Sequence, residues 1–224
     1  MFDNIAHSYD ALNHTLSLGI DKLWRRIAIS TLAKNNSKTR KILDIGTGTG
    51  DFAIMACKKF KDSHVTATDI SLEMMQIGKQ KVKDNGLEER ITFMEADCQN
   101  LPFGDNSFDT IISAFVLRNF SDLNKCLSEM LRVLDNNGRI TVIDLCQPVG
   151  FPMKQLFNIY ENTIIPTLGK IISKDKKAYT YLPQTMKSVP QGNDMKKILE
   201  KAGFKNVEFK RLPFGMCILY EATK

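Results

Sequence analysis

Lys41-Ile42-Leu43-Asp44-Ile45-Gly46-Thr47-Gly48-Thr49-Gly50-Asp51 is the stretch from which the rest of the 224-residue chain can be read. Ile42, Leu43 and Ile45 make the short apolar run of a buried strand, and Asp44 interrupts it just before three alternating glycines. Ala53, Ile54 and Met55 then begin a helical pattern. Strand, glycine turn and helix form a nucleotide-type site, because glycine lets backbone approach a ligand with no Cβ in the way. The spacing excludes two ligand classes. A dinucleotide site reads G-x-G-x-x-G and a triphosphate site ends in G-K-[ST], whereas this loop is acid-x-G-x-G-x-G with Thr47 and Thr49 between the glycines. A ligand without a pyrophosphate is expected.

The pattern on either side of the loop alternates. Strands are expected at Lys41–Ile45, His64–Asp69, Ile91–Glu95, Thr110–Phe115 and Arg139–Leu145, with helices at Phe52–Phe60, Ser71–Lys83 and Ser121–Leu134. Ser71 is the N-cap candidate of the second of these helices, and Asn136-Asn137-Gly138 reads as a turn before the fifth strand. After Gln191 come a helix to Ala202, a stop at Gly203, and strands at Val207–Arg211 and Met216–Ala222. Leu212-Pro213-Phe214-Gly215 is too short for a crossover helix, so these last two strands form an antiparallel hairpin. The expected fold is α/β: a three-layer, doubly wound, seven-stranded and mainly parallel sheet in a single domain spanning 1–224.

Two segments extend this core. Residues 1–35 read as an N-terminal helical cap in which Ile20, Leu23, Trp24, Ile27 and Ala28 face inward and Lys22, Arg25 and Arg26 outward. Residues 147–190 form a helical insertion between strands five and six, rich in apolar side chains such as Phe151, Leu156, Phe157, Ile159, Ile164 and Leu168.

Composition narrows the class. No apolar run approaches ~20 residues, so no segment reads as a membrane span, and Asp3, His7 and Asp10 stand where a signal peptide needs a basic and then an apolar stretch. Five cysteines with no C-x-x-C pair and three scattered histidines suggest neither disulfides nor a metal site, and fit a reducing cytoplasm. Residues 1–149 carry 18 basic and 19 acidic side chains, whereas 150–224 carry 13 and 6. The positive excess thus falls in the last third, which suits an anionic surface.

In doubly wound sheets ligands sit beyond the carboxyl ends of the strands. Asp44, Asp69 and Asp97 each fall at or after one of the first three strands. A carboxylate at Asp69 can accept from both ribose hydroxyls, Asp97 from an adenine amino group, and the Cys98 amide can donate to the ring, with Ile70 and Met74 against the adenine faces. Together with the glycine loop, these residues resemble the site of class I S-adenosyl-L-methionine (SAM) methyltransferases.

A more specific likeness follows strand four, in Phe115-Val116-Leu117-Arg118-Asn119. With Phe2-Asp3-x-Ile5-Ala6-x-x-Tyr9-Asp10-x-x-Asn13, Leu18-Gly19-Ile20-Asp21-x-x-Trp24-Arg25, Tyr179-x-Tyr181-Leu182 and Ala202-Gly203-Phe204, it resembles the ubiquinone/menaquinone biosynthesis C-methyltransferase family. The resemblance implies C-methylation of a prenylated quinol, with SAM as donor and S-adenosyl-L-homocysteine as product. Its preferred acceptor is demethylmenaquinol, in menaquinone biosynthesis. The alternatives are a polyprenyl methoxy-benzoquinol in ubiquinone biosynthesis, another small or lipid acceptor, and, more distantly, a nucleic-acid-binding methyltransferase. The last lacks both an N-P-P-[YFW] motif and interleaved exposed aromatics in the basic region.

The expected cofactor site comprises Asp44, Gly46, Thr47, Gly48, Thr49, Gly50, Asp69, Ile70, Met74, Asp97, Cys98 and Phe115. Arg118 and Asn119 are placed beside the reacting ring, and Tyr9, Asp144, Tyr160, Tyr179 and Tyr181 are substrate-side candidates. Three positions depart from the family pattern. Ala114 stands for a frequent serine, Val116 for a common glycine, and Ser188-Val189-Pro190 for an aromatic-proline pair. The apolar insertion suits an isoprenoid tail, and Lys170, Lys174, Lys176 and Lys177 suit anionic head groups at the inner face of a membrane.

Overall fold

The computed structural model describes residues 19–35, 39–159, 163 and 189–224. Its described strands are β1 (Lys41–Ile45), β2 (His64–Asp69), β3 (Ile91–Glu95), β4 (Phe108–Ala114), β5 (Leu134–Leu145), β6 (Lys205–Arg211) and β7 (Cys217–Thr223). The helices are α1 (Ile20–Asn35), α2 (Asp51–Lys59), α3 (Leu72–Asp84), α4 (Leu123–Val133), α5 (Met153–Ile159) and α6 (Asn193–Lys201). The sheet order is β3-β2-β1-β4-β5-β7-β6. β7 runs antiparallel to both its neighbours, and every other pairing is parallel. The chain winds outward through β2 and β3 on one side of β1, then returns with β4 on its other side, which makes the carboxyl ends of β1 and β4 the switch point.

Period-two alternation distributes the apolar residues between the two faces of the sheet. Ile42, Ile112, Ile143 and Leu219 join Trp24, Leu32, Phe52 and Val82 of α1, α2 and α3 in one buried cluster. Leu43, Ile111, Val142 and Ile218 join Leu127 and Met130 of α4 and Met195 and Leu199 of α6 in the other. Two helical layers thus enclose a sheet whose central strands are buried over most of their length.

Helix starts follow their caps. Ser71 Oγ accepts from Met74 N at 3.3 Å, and Asp122 accepts from Lys125 N at 3.0 Å, so the helix expected from Ser121 begins two residues later, at Leu123. β4 ends at Ala114 because Phe115 adopts a left-handed φ of 65°. The expected turn at Asn136–Gly138 lies inside β5, as a bulge between the Phe108↔Leu134 and Thr110↔Arg139 pairs.

Candidate functional site

After β1 the backbone takes a left-handed conformation at Gly46, Gly48 and Gly50, with φ of 66°, 55° and 79°. Gly46 illustrates the constraint: a Cβ there would lie 2.5 Å from one methyl of Val116 and 2.7 Å from the other. The loop is pinned to β2. Thr47 N donates to the Thr68 carbonyl at 2.9 Å, Thr68 Oγ1 donates to the Asp44 carbonyl at 3.1 Å, and Gly48 N donates to Asp69 Oδ2 at 2.7 Å. Asp69 Oδ1 also accepts from Ser71 N at 3.0 Å, so this carboxylate joins the glycine loop to the start of α3.

The loop forms one wall of a cavity of about 280 Å³ at the switch point, close to the lower end of the ~300–1,000 Å³ common for small-molecule sites. Asp44, Gly46, Thr47, Gly48, Thr49, Asp69, Ile70, Met74, Asp97, Cys98, Phe115 and Asn119 all line it. Of the expected cofactor residues, Gly50 alone is not in the lining; it caps α2 instead. Arg118 and Asp144 do not line it either. They form a buried ion pair, with Arg118 Nη1 at 2.6 Å from Asp144 Oδ1 and side chains 9% and 5% exposed. Asp144 Oδ2 also accepts from Arg118 N at 3.2 Å, and Arg118 Nε is buried without a partner. Tyr9, Tyr160, Tyr179 and Tyr181 lie outside the described residues.

Sequence reasoning missed several lining residues, among them Arg25, Asp51, Phe52, Gln99, Phe120 and Ser121. Arg25 is the informative miss, because the side chain expected on the outside of α1 is 9% exposed. It pairs with Asp21 one turn earlier, and its guanidinium carbon lies 4.9 Å from the centroid of the Phe115 ring. Trp24 meets the same ring edge-on at 6.3 Å and donates from Nε1 to the Pro213 carbonyl at 3.0 Å. The signal was present in the sequence. Asp21 and Arg25 are an i, i+4 pair of opposite sign in phase with Trp24, Ala28 and Leu32.

The electrostatics of the cavity are lopsided. Among the described residues, four carboxylates, Asp44, Asp51, Asp69 and Asp97, face it with a single cation, Arg25. Asp44 is 1% exposed; its Oδ2 accepts from Thr47 Oγ1 at 2.7 Å while Oδ1 has no partner. Burial pushes the Asp44 carboxyl up to about 7, against the opposing pull of the Thr47 hydroxyl and Arg25. The Cys98 thiol is raised by its hydrogen bond with Cys126 and by burial, which favours the protonated form over the thiolate. Such a lining repels phosphate and favours a ligand that carries a cationic group.

Comparison with known proteins agrees with this chemistry. Residues 1–224 match the ubiE/COQ5 methyltransferase family. The chain is 54% identical over 224 residues to a Bacteroides fragilis protein named demethylmenaquinone methyltransferase, covering all of this chain and 91% of that one. It is 34% identical to a Haemophilus ducreyi protein named ubiquinone/menaquinone biosynthesis C-methyltransferase UbiE, covering all of this chain and 86% of that one. A SAM-dependent methyltransferase from Aquifex aeolicus shares the fold, with a TM-score of 0.64 and 21% identity over 87% of this chain and 88% of the other. The chain belongs to the ubiE/COQ5 methyltransferase family.

Proposed function

We propose that this member of the ubiE/COQ5 family transfers the methyl group of SAM to a ring carbon of demethylmenaquinol, giving menaquinol and S-adenosyl-L-homocysteine. One observation carries the choice of donor: among the described residues, four carboxylates and one guanidinium line a glycine-rich cavity at the switch point. On this reading Asp69 takes the ribose hydroxyls, and Asp97 and Cys98, which follow β3, take the adenine, with Ile70 and Met74 against its faces; all five line the cavity. The name of the Bacteroides fragilis relative supports the acceptor.

When bound, SAM supplies an electrophilic methyl on a sulfonium centre. The protein's task is to hold a nucleophilic carbon in line with it, and alignment of this kind is worth about 7–11 kcal/mol of barrier. A quinol ring carbon becomes nucleophilic as the adjacent hydroxyl loses its proton. Arg118 is not the base, since a guanidinium stays protonated. Asp144 is a poor one, because Arg118 Nη1, Arg118 N and Leu145 N all donate to its oxygens. Arg118, next in the chain to the cavity-lining Asn119, contributes positive potential toward the developing quinolate.

The acceptor carries an apolar tail, and Val149, Phe151, Leu156 and Ile159 are exposed at the end of β5 and along α5, with Phe151 at 86%. This apolar surface supports peripheral contact with the membrane that holds the substrate. No helix among the described residues is long and apolar enough to cross a membrane.

The test is direct. Purified protein is incubated with isotopically methyl-labelled SAM and either reduced demethylmenaquinone or a reduced polyprenyl methoxy-benzoquinone, and the products are read by mass spectrometry. Label in the naphthoquinone ring supports the reading. Label confined to the benzoquinone, as the Haemophilus ducreyi name admits, moves the acceptor, and label in neither sinks the function.

A further inference from the structure

Two thiols that methyl transfer does not use meet on the wall of the cavity. Cys98 follows β3 and Cys126 lies near the start of α4. Both line the cavity, although they are only 7% and 1% exposed. Cys98 Sγ lies 3.8 Å from the Cys126 carbonyl, and the two thiols share a hydrogen bond. Cys146 and Cys217 are also close to one another, since charge on the first raises the second, but neither lines the cavity. A small solute entering the cavity therefore reaches Cys98 and Cys126 with the fold intact. Sulfur selects soft cations. Among the described residues no group of three His, Cys, Asp or Glu side chains could hold a metal ion, so zinc(II) lacks its four ligands here, whereas copper(I) is satisfied by two thiolates. The acidic lining draws cations toward the pair.

We propose that Cys98 and Cys126 form a binding site for a soft monovalent cation, copper(I), whose occupation shuts out the methyl donor. Two S–H bonds break, two S–Cu bonds form, and two protons leave to solvent, with no change of oxidation state. The product carries one net negative charge. Asp97 and Glu129 oppose it, the metal cancels one of the two thiolate charges, and the start of α4 favours the other. A buried, protonated Cys98 thiol is a slow nucleophile toward oxidants and alkylating agents. Displacement of its proton by a metal is the route open to this pair. The antagonism rests on the reading of Cys98 as an adenine contact, since a metal held by its sulfur crowds the same stretch of wall; the metal site itself does not rest on that reading.

The test supplies copper(I) anaerobically to the reduced protein as a coloured chelate, and uptake is read from the loss of colour. Wild type should take about one equivalent into the cavity. Cys98→Ala and Cys126→Ala should each leave that equivalent with the chelator, whereas Cys146→Ala should still take it; Cys126→Ser stands in if circular dichroism shows the alanine variant unfolded. Calorimetric titration should show S-adenosyl-L-homocysteine binding roughly 10- to 100-fold more weakly to the copper(I)-loaded protein, and saturating S-adenosyl-L-homocysteine should weaken copper(I) by the same factor. Cys126→Ala should bind S-adenosyl-L-homocysteine equally well with and without the metal. Uptake unchanged in both cavity variants, or lost equally in Cys146→Ala, overturns the site. Uptake that leaves S-adenosyl-L-homocysteine affinity untouched overturns the inference while the donor reading stands. Metal-free wild type that fails to bind S-adenosyl-L-homocysteine overturns the donor reading, and the chelator competition still decides the site.

Discussion

Arg118→Ala tests whether the ion pair beside the cavity acts as a strut, a source of potential, or both. The substitution leaves Asp144, 4% exposed, inside the sheet without its guanidinium. Removing one partner of a buried pair costs about 3–5 kcal/mol. The low end applies here, because Asp144 Oδ1 keeps its bond from Leu145 N at 2.7 Å and the backbone amide at position 118 remains a donor to Oδ2. A loss of ~3 kcal/mol in a chain of this size lowers the melting temperature by roughly 6–12 °C. Arg118→Ala/Asp144→Asn should recover part of that loss, since the orphaned charge is gone.

Three measurements separate the roles: urea unfolding, calorimetric titration with S-adenosyl-L-homocysteine, and turnover well below the variant's melting temperature. The expected pattern is reduced stability, donor affinity within about twofold of wild type, and sharply lower turnover that the double variant does not restore. Unchanged unfolding in Arg118→Ala would refute the strut. Unchanged turnover of the folded variant would remove Arg118 from the mechanism.

Three further perturbations have signed outcomes. Burial raises the Asp44 carboxyl to about 7, so the folded chain holds this proton more tightly than the unfolded one. Its stabilising contribution is present below pH ~4 and is lost as pH rises through about 7. Asp44→Asn should remove this pH dependence of stability, read by urea unfolding at pH 5 and pH 8; an unchanged dependence would assign it to another group. Gly46→Ala forces a left-handed backbone on alanine, costing about 1–3 kcal/mol, and drives its Cβ into both Val116 methyls, a further ~1–3 kcal/mol of overpacking. Adding Val116→Gly should return the second part only, as read by chemical denaturation. Asp69→Asn sets an NH2 group against one of two backbone donors, Gly48 N or Ser71 N; adenosine-containing ligands should bind at least tenfold more weakly, and a titration matching wild type would free Asp69 from the site.

The readable part of the molecule was the part encoded locally. A strand that ends in acid and glycine, repeated acids at later strand ends, and a serine cap all act within a few residues, and β1, β2 and β3 run over the expected positions. Non-local effects were not readable. Insertion of β7 between β5 and β6 depends on long-range pairing, and the left-handed φ of Phe115 goes with packing of its ring against Trp24 and Arg25, which lie far away in sequence. On α1 the error was one of phase. Counting every charge as outward put Leu23 in and Arg25 out, whereas Leu23 is 40% exposed and the buried stripe runs Asp21, Trp24, Arg25, Ala28, Ile29 and Leu32. Opposite charges one turn apart neutralise each other and can be buried together.

That stripe changes how the site is divided. Among the described residues, two guanidinium–carboxylate pairs are buried near the cavity, Asp21–Arg25 from α1 and Arg118–Asp144 between the segment after β4 and the end of β5. Cys217 of β7 feels both, since Arg25 and Arg118 each oppose the rise that burial imposes on its thiol. Only Arg25 reaches the lining. A cation in the wall can bind a ligand's charge in the ground state. A cation behind the wall, committed to Asp144, acts best on charge that develops during reaction. Loss of Arg25 should therefore appear in donor affinity, and loss of Arg118 in turnover, so the two variants measured side by side give opposite signatures from the same residue type.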